Sequence, residues 1–255
     1  MKEFFGIGGY TREPEGYLSP EHLIFVSSLM AIMIFTAIFL GLRYKNSDTS
    51  KKNVPLIVSA LLIDFFEIFK IVFLCISTGD HMRWLYELPL FLCSIHLITM
   101  PLAAFSKGRV KEASLDFVLI FGLVSAVLGT YGAGNNYACY PVLSFDNVVS
   151  GITHSLSGFA SLYIAISGMT SLKKRNIPIT LSILFGFCIS AGIVNKLIDY
   201  NYMFLVRGDG TPYDIFYNLV GGHPILYPLC VILLFVVYIA VFYLTYYLIK
   251  KKKSN

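Results

Sequence analysis

ELPLFLCSIHLITMP, residues 87–101, is the stretch on which the reading of the fold turns. Its leucines, isoleucines and phenylalanine suit lipid, yet Glu87, Cys93 and His96 are set along it. The rest of the chain says which environment to assume. Of 255 residues, 56% are hydrophobic and only 14% charged, with a mean hydropathy of +0.70. A soluble domain carries roughly 25% charged residues. Apolar segments recur at about 22–42, 54–75, 87–105, 114–131, 147–170, 178–199 and 224–248. Each is close to the ~20 residues that carry a helix across a bilayer. The spacing predicts an all-α, polytopic, seven-transmembrane-helix bundle forming a single membrane domain over 1–255, with 87–105 as its third span.

Alternate connections differ sharply in basic residues. Arg43, Lys45, Lys51 and Lys52, then Lys107, Arg109 and Lys111, then Lys173, Lys174 and Arg175, and finally Lys250 to Lys253 fall on one side. Lys2, Arg12, Arg83, Lys196 and Arg207 fall on the other, and Lys70 lies within a span. The positive-inside rule then puts the amino terminus outside and the carboxyl terminus in the cytoplasm, in a multi-pass protein of the cell membrane. The formal charge of +5 is an orientation signal beside the spans rather than a nucleic-acid patch. Residues 1–21 carry Lys2, Glu3, Arg12, Glu13 and Glu15 and hold no long apolar run, which predicts no cleaved signal peptide. The five cysteines show no CxxC spacing, and no dense ligand motif calls for a metal or other cofactor.

Ionisable groups inside a bilayer cost roughly 2.5–3.5 kcal/mol each on insertion scales, so they face the bundle and take partners. The second span carries Asp64, Glu67 and Lys70 in IDFFEIFK, spaced by three and therefore close to one helical face. They form either a self-neutralising structural cluster or the polar wall of a lipid- or solute-binding cavity. Glu87 suits a helix amino terminus, and Pro89 suits a first helical turn. Asp116 fits a capping or topology role. His154 stands in GITHSLSG, whose small residues let helices approach closely but do not account for the imidazole.

Counted along helices at 1.5 Å per residue, Cys93 lies ~9 Å and His154 ~10 Å below the outer surface. Glu67 and Lys70, and Asn195 and Lys196, reach a similar layer. Polar groups confined to one leaflet disfavour a channel or pump, which needs them through the full thickness. A thiol becomes a nucleophile when a neighbouring His takes its proton, and Cys–His pairs support acyl transfer through a thioester. His96, on the same helix face as Cys93, competes with His154 as the partner. A buried Cys is also often an inert small hydrophobe, so spacing alone leaves both readings open.

The chain resembles the YwaF-type bacterial integral membrane proteins, which are similar to the transmembrane protein 164 family of ether-phospholipid acyltransferases. Four stretches carry the resemblance: ELPLFLCSIH, with its Leu-Pro-Leu-x-Leu-Cys pattern; His154; the Asn-Tyr-Met-Phe-Leu string in NKLIDYNYMFL (195–205); and GGHPILYP (221–228). One departure is His223, where relatives tend to have an aromatic. The resemblance implies a lipid acyltransferase or transacylase with Cys93 and His154 as the acyl-transfer pair. Membrane phospholipid and an acyl donor would then be its partners, with no nucleic acid involved. Glu67, Lys70, His96 and Asn195 are further candidates for substrate binding or orientation. A more distant hydrolase family of similar architecture makes ester hydrolysis by the same pair an alternative. A non-catalytic solute transporter or lipid-binding scaffold is the alternative of a different class.

Overall fold

A computed structural model describes residues 2–170 and 172–254. It contains ten α-helices among those residues: α1 (Lys2–Phe5), α2 (Pro20–Tyr44), α3 (Thr49–Thr78), α4 (His96–Phe105), α5 (Gly108–Thr130), α6 (Gly134–Cys139), α7 (Phe145–Ser167), α8 (Ile177–Ile198), α9 (Asp214–Leu219) and α10 (Leu226–Ser254). No strand occurs among the described residues. Five helical segments are long and apolar enough to cross a membrane: α2, α5 with its continuation α6, α7, α8 and α10. At 30 residues α3 has the length, but it carries Asp64, Glu67 and Lys70 within it. At 10 residues α4 covers only ~15 Å, about half a hydrocarbon core.

The chain packs as two compact units. The first comprises residues 1–87 and 96–171. Its centre is α7, packed against α2 on one side and α5 on the other through a seam of small residues. A Cβ on Gly41 would collide with Ile166, one on Gly151 with Leu29, and one on Gly158 with Met33 and Ala126. On the α5 side, Gly122 lies against the Ser157 carbonyl and the Ser161 side chain. Between helices in lipid there is little hydrophobic drive, so such close backbone approach supplies the attraction. The glycines and serines of GITHSLSG are therefore packing residues, as their composition suggests. Ser161 adds a hydrogen bond across the seam, donating to the Leu119 carbonyl at 2.7 Å. Ser144 caps α7 by accepting from Asn147 N, and Gly168 closes it with φ 70°, a left-handed turn that glycine adopts without strain.

Away from the seam, a buried carboxylate ties a loop to α5, and a half-buried amide of α3 ties that helix to α4 and α5. Asp116 is fully buried and accepts from the Thr170 hydroxyl. Lys111 Nζ donates to Asn53 Oδ1 at 2.8 Å and to the last-turn carbonyl of Ala104, which Asn53 Nδ2 also reaches. The orphan carbonyls at the end of α4 are partly satisfied in this way.

The second unit comprises residues 88–95 and 172–255. Here α8 ends in an irregular turn in which Asp199, Met203 and Phe204 all have positive φ. Asn195 holds this turn: its Nδ2 donates to the Tyr202 carbonyl at 3.0 Å, and its Oδ1 accepts from Tyr202 N at 2.6 Å. Asn201 does the same one step on, accepting from Val206 N and donating to the Arg207 carbonyl. Tyr247 of α10 donates to the Leu172 carbonyl at 2.6 Å and accepts from Lys174 N.

The third apolar segment departs from expectation. Helix is confined to His96–Phe105, and residues 87–95 form bends and turns. Pro89 lacks an N–H and pushes Leu88 out of the helical region. Leu88 N instead donates to the Tyr202 phenol oxygen at 3.0 Å, and the Phe91 ring lies 5.1 Å from Tyr202 and 5.8 Å from Phe204. Pro89 therefore does not open a helix, and a depth for Cys93 reckoned from helical rise does not hold. Glu87 also plays a different part: it follows a short 3-10 turn (Arg83–Tyr86) and makes ion pairs.

Candidate functional site

Cys93 sits in the turn that precedes α4, half-buried, with its Sγ 3.9 Å from Ser94 Oγ. The turn is fixed from behind by Phe91 and Leu88 on the Asn201–Leu205 turn. In the same unit, Tyr213 stacks on Phe204 at 5.2 Å and meets Phe235 edge-on at 6.3 Å. Burial pushes the Tyr213 phenol up to about 12, and the nearby Cys93 adds to the rise. That electrostatic coupling places the Tyr213 phenol in the neighbourhood of the thiol. Tyr213 is not a residue that the sequence marks out. Its signal was faint, a Tyr at the start of a short helix after a Gly- and Asp-rich turn.

His154 belongs to the first unit, on α7, with its ring set against α5. Ser125 Oγ and His154 Nδ1 are 3.4 Å apart. One helical turn further on, Gly129 lies flat under the imidazole: a Cβ there would overlap ring atoms Cε1, Nδ1 and Cγ. Ser125 and Gly129 together make a cradle that admits the ring only because position 129 has no side chain. Lys70 of α3 and His96 of α4 lie close enough to His154 to couple to it electrostatically. His96 itself is fully buried, with its ring 6.3 Å from Phe117.

Lys70 is the hub of a charged cluster. Its Nζ pairs with Glu67 Oε1 at 2.6 Å and with Glu87 Oε2 at 3.2 Å, and Glu87 also reaches Arg83 at 3.5 Å. Asp64 was expected to share in this neutralisation and does not. Its Oδ1 is buried without a hydrogen-bond partner. Asp146, at the start of α7, accepts from the Tyr10 hydroxyl at 3.3 Å, and burial foremost, with Asp146 next, pushes the Tyr10 phenol up to about 12.

The sequence candidates thus separate by unit. Glu67, Lys70, His96 and His154 fall in the first, and Cys93 and Asn195 in the second. Asn195 has both ends of its amide engaged by the main chain of Tyr202. That occupation fits a turn clamp better than a head-group contact.

Apolar membrane-crossing helices, ionisable groups gathered among them and a thiol in a turn between them define a multi-pass integral membrane protein. The chain belongs to the TMEM164 family, whose family model matches residues 17–246. No curated protein and no solved structure matches it.

Proposed function

We propose that this protein is a membrane-embedded lipid acyltransferase or transacylase with Cys93 as nucleophile and His154 as its base. The observation that carries the reading is the break in the third apolar segment. Irregular backbone within a membrane protein is tolerated where it is buried in protein or lines a wet cavity, and here the irregular residues are those around the thiol. The polar cradle of His154 and membership of the TMEM164 family support the same assignment.

The chemistry balances without a cofactor. His154 takes the Cys93 proton as the sulfur attacks the ester carbonyl of a donor phospholipid. Collapse of the tetrahedral intermediate breaks the ester C–O bond, and the imidazolium gives its proton to the departing lysolipid oxygen. The hydroxyl of an acceptor lysolipid then attacks the thioester, His154 taking its proton and returning it to the Cys93 sulfur. Water in place of that hydroxyl would make the protein a hydrolase. Glu67, Lys70 and His96 would orient the head group or the imidazole.

The expected result in cells is a shift in phospholipid acyl composition on loss of the protein, restored by wild type and not by Cys93→Ala. Comparative lipidomics measures it. Free fatty acid in place of remodelled phospholipid would favour hydrolysis, and full restoration by Cys93→Ala would sink the reading.

The proposed topology has seven passages in the cell membrane, the third built from the 88–95 turn and α4, with the amino terminus outside. Cys139, the exposed cysteine of the α5–α7 connection, then faces outward. It is expected to react with a membrane-impermeant thiol reagent in intact cells, whereas a cysteine placed at Ser47 is expected to react only after lysis. The reverse pattern would invert the topology.

A further inference from the structure

We propose that residues 10–19 form an acid-released strap across the connection between α5 and α7, latched by the neutral imidazole of His22. The inference goes beyond the acyl-transfer reading and does not depend on it.

The latch lies at the start of α2. Ser19 is the N-cap, and its hydroxyl accepts from His22 N at 3.2 Å. His22, at the third helical position, returns the bond: its Nδ1 accepts from Leu18 N at 3.1 Å. A Glu or Gln holds this place in a capping box. The other ring nitrogen, Nε2, lies 3.3 Å from the Thr130 carbonyl. Both partners are main-chain groups with fixed roles, since an amide N–H donates and a carbonyl oxygen accepts. Nδ1 is therefore bare, Nε2 carries the hydrogen, and the ring is neutral. A second proton has to go to Nδ1, where it would face the Leu18 N–H and end that bond.

His22 is fully buried, its ring 3.9 Å from that of Tyr137 and 5.5 Å from that of Tyr17. These phenols are the titratable groups against it. The carboxylates of the neighbouring segments are committed elsewhere, Glu15 to Arg12 and Val142 N and Asp146 to Tyr10, while Glu21, the preceding residue of α2, is exposed. An imidazolium here would be a buried charge with no paired anion.

The strap depends on the bond because Leu18 has φ 61°, in the left-handed region that a side chain makes unfavourable. The hydrogen bond to His22 Nδ1 helps hold it there. Gly16, with φ 94° and open space where a Cβ would stand, is a hinge just ahead of it. Further along the strap, Tyr17 donates to the Tyr131 carbonyl at 2.7 Å, Glu15 accepts from Val142 N at 2.8 Å and Tyr10 donates to Asp146 at 3.3 Å. Once Leu18 relaxes, Tyr17 is drawn off the Tyr131 carbonyl and the strap loosens toward Tyr10, whose partner Asp146 lies in the first turn of α7.

The test is amide hydrogen exchange, read by mass spectrometry, on the full-length protein in phospholipid nanodiscs, with rates corrected for the intrinsic effect of pH. The range is about pH 8 to pH 5, across which histidine is the side chain that ordinarily changes charge. Protection of residues 10–19 is expected to fall by about tenfold from the alkaline to the acidic end, the worth of one hydrogen bond near the upper end of its usual range. His22→Gln, whose side-chain oxygen can accept from Leu18 N and takes up no proton, should keep the strap protected throughout. His22→Ala should leave it unprotected throughout. Wild-type protection that stays constant across the range overturns the proposal, as does a His22→Gln strap that loosens with acid like wild type, or a His22→Ala strap as protected as wild type. The wild-type series decides even if neither variant folds. Exchange is read without turnover, so its outcome is separate from that of Cys93→Ala in the acyl-transfer assay.

Discussion

Cys93→Ala is expected to reduce lipid acyl transfer to background, and His154→Ala to reduce it by roughly 10²–10⁴-fold, the usual contribution of a general acid–base. The double variant should be no worse than Cys93→Ala. A base has nothing to do once its nucleophile is gone, so losses within such a unit do not multiply. The assay is transfer of a labelled acyl chain between phospholipid and lysophospholipid in detergent–lipid micelles, with an acyl-protein intermediate sought by rapid quenching. Wild type should accumulate label on Cys93 as a thioester, cleaved by neutral hydroxylamine. Residual activity in Cys93→Ala that His154→Ala then lowers further would show that the imidazole serves another nucleophile. His96→Gln is the control, because His96 lies three residues from Cys93 in sequence yet is wholly buried beside Phe117. It should weaken acyl transfer without abolishing the thioester.

Lys70→Met is expected to destabilise the protein by about 3–5 kcal/mol, the cost of stranding buried charge when one partner of an ion pair is removed. Glu67 and Glu87 do not suffer equally. Glu87 retains Arg83 at 3.5 Å, while Lys70 is the ion-pair partner of Glu67. Adding Glu67→Gln should therefore recover most of the loss, and adding Glu87→Gln in its place should recover little. Thermal unfolding in a fixed detergent measures the series. Equal recovery by the two would mean that the stranded charge is shared across the cluster and not localised on Glu67. Strictly additive losses would mean that Lys70 and Glu67 are not coupled.

Lipid makes length legible, and α2, α5, α7, α8 and α10 fall on the apolar segments from which they were expected, with ends that differ by about one to six residues. The Glu67–Lys70 pair was also legible, because residues three apart meet on a helix whatever the rest of the fold does. Partnerships through space were not. Glu87 looked like a helix-opening residue because nothing local joins it to Lys70. The helix expected at 87–95 fails because Leu88 N–H finds a phenol 114 residues further along the chain. Ser125 and Gly129 passed as ordinary small residues of a membrane helix. Their spacing of four marks a shared face, but only the ring lying on that face gives it meaning. Asn195 drew notice as a polar side chain at membrane depth, and what the sequence does not show is that its amide is engaged by a turn seven residues away.

The docking of the Cys93 turn on the Tyr202 turn also constrains the order of biogenesis. During synthesis Leu88–Ile95 leaves the ribosome well before the residues that will hold it, and α4, α5 and α7 are made in the interval. Until α8 has been inserted and Asn195 has set the turn after it, Leu88 N–H has no phenol and Phe91 no aromatic neighbours. Nascent chains halted before residue 195 would therefore carry His154 and its cradle without an ordered Cys93 turn. The Cys93 turn would thus become ordered late, after most of the first unit is already in the bilayer.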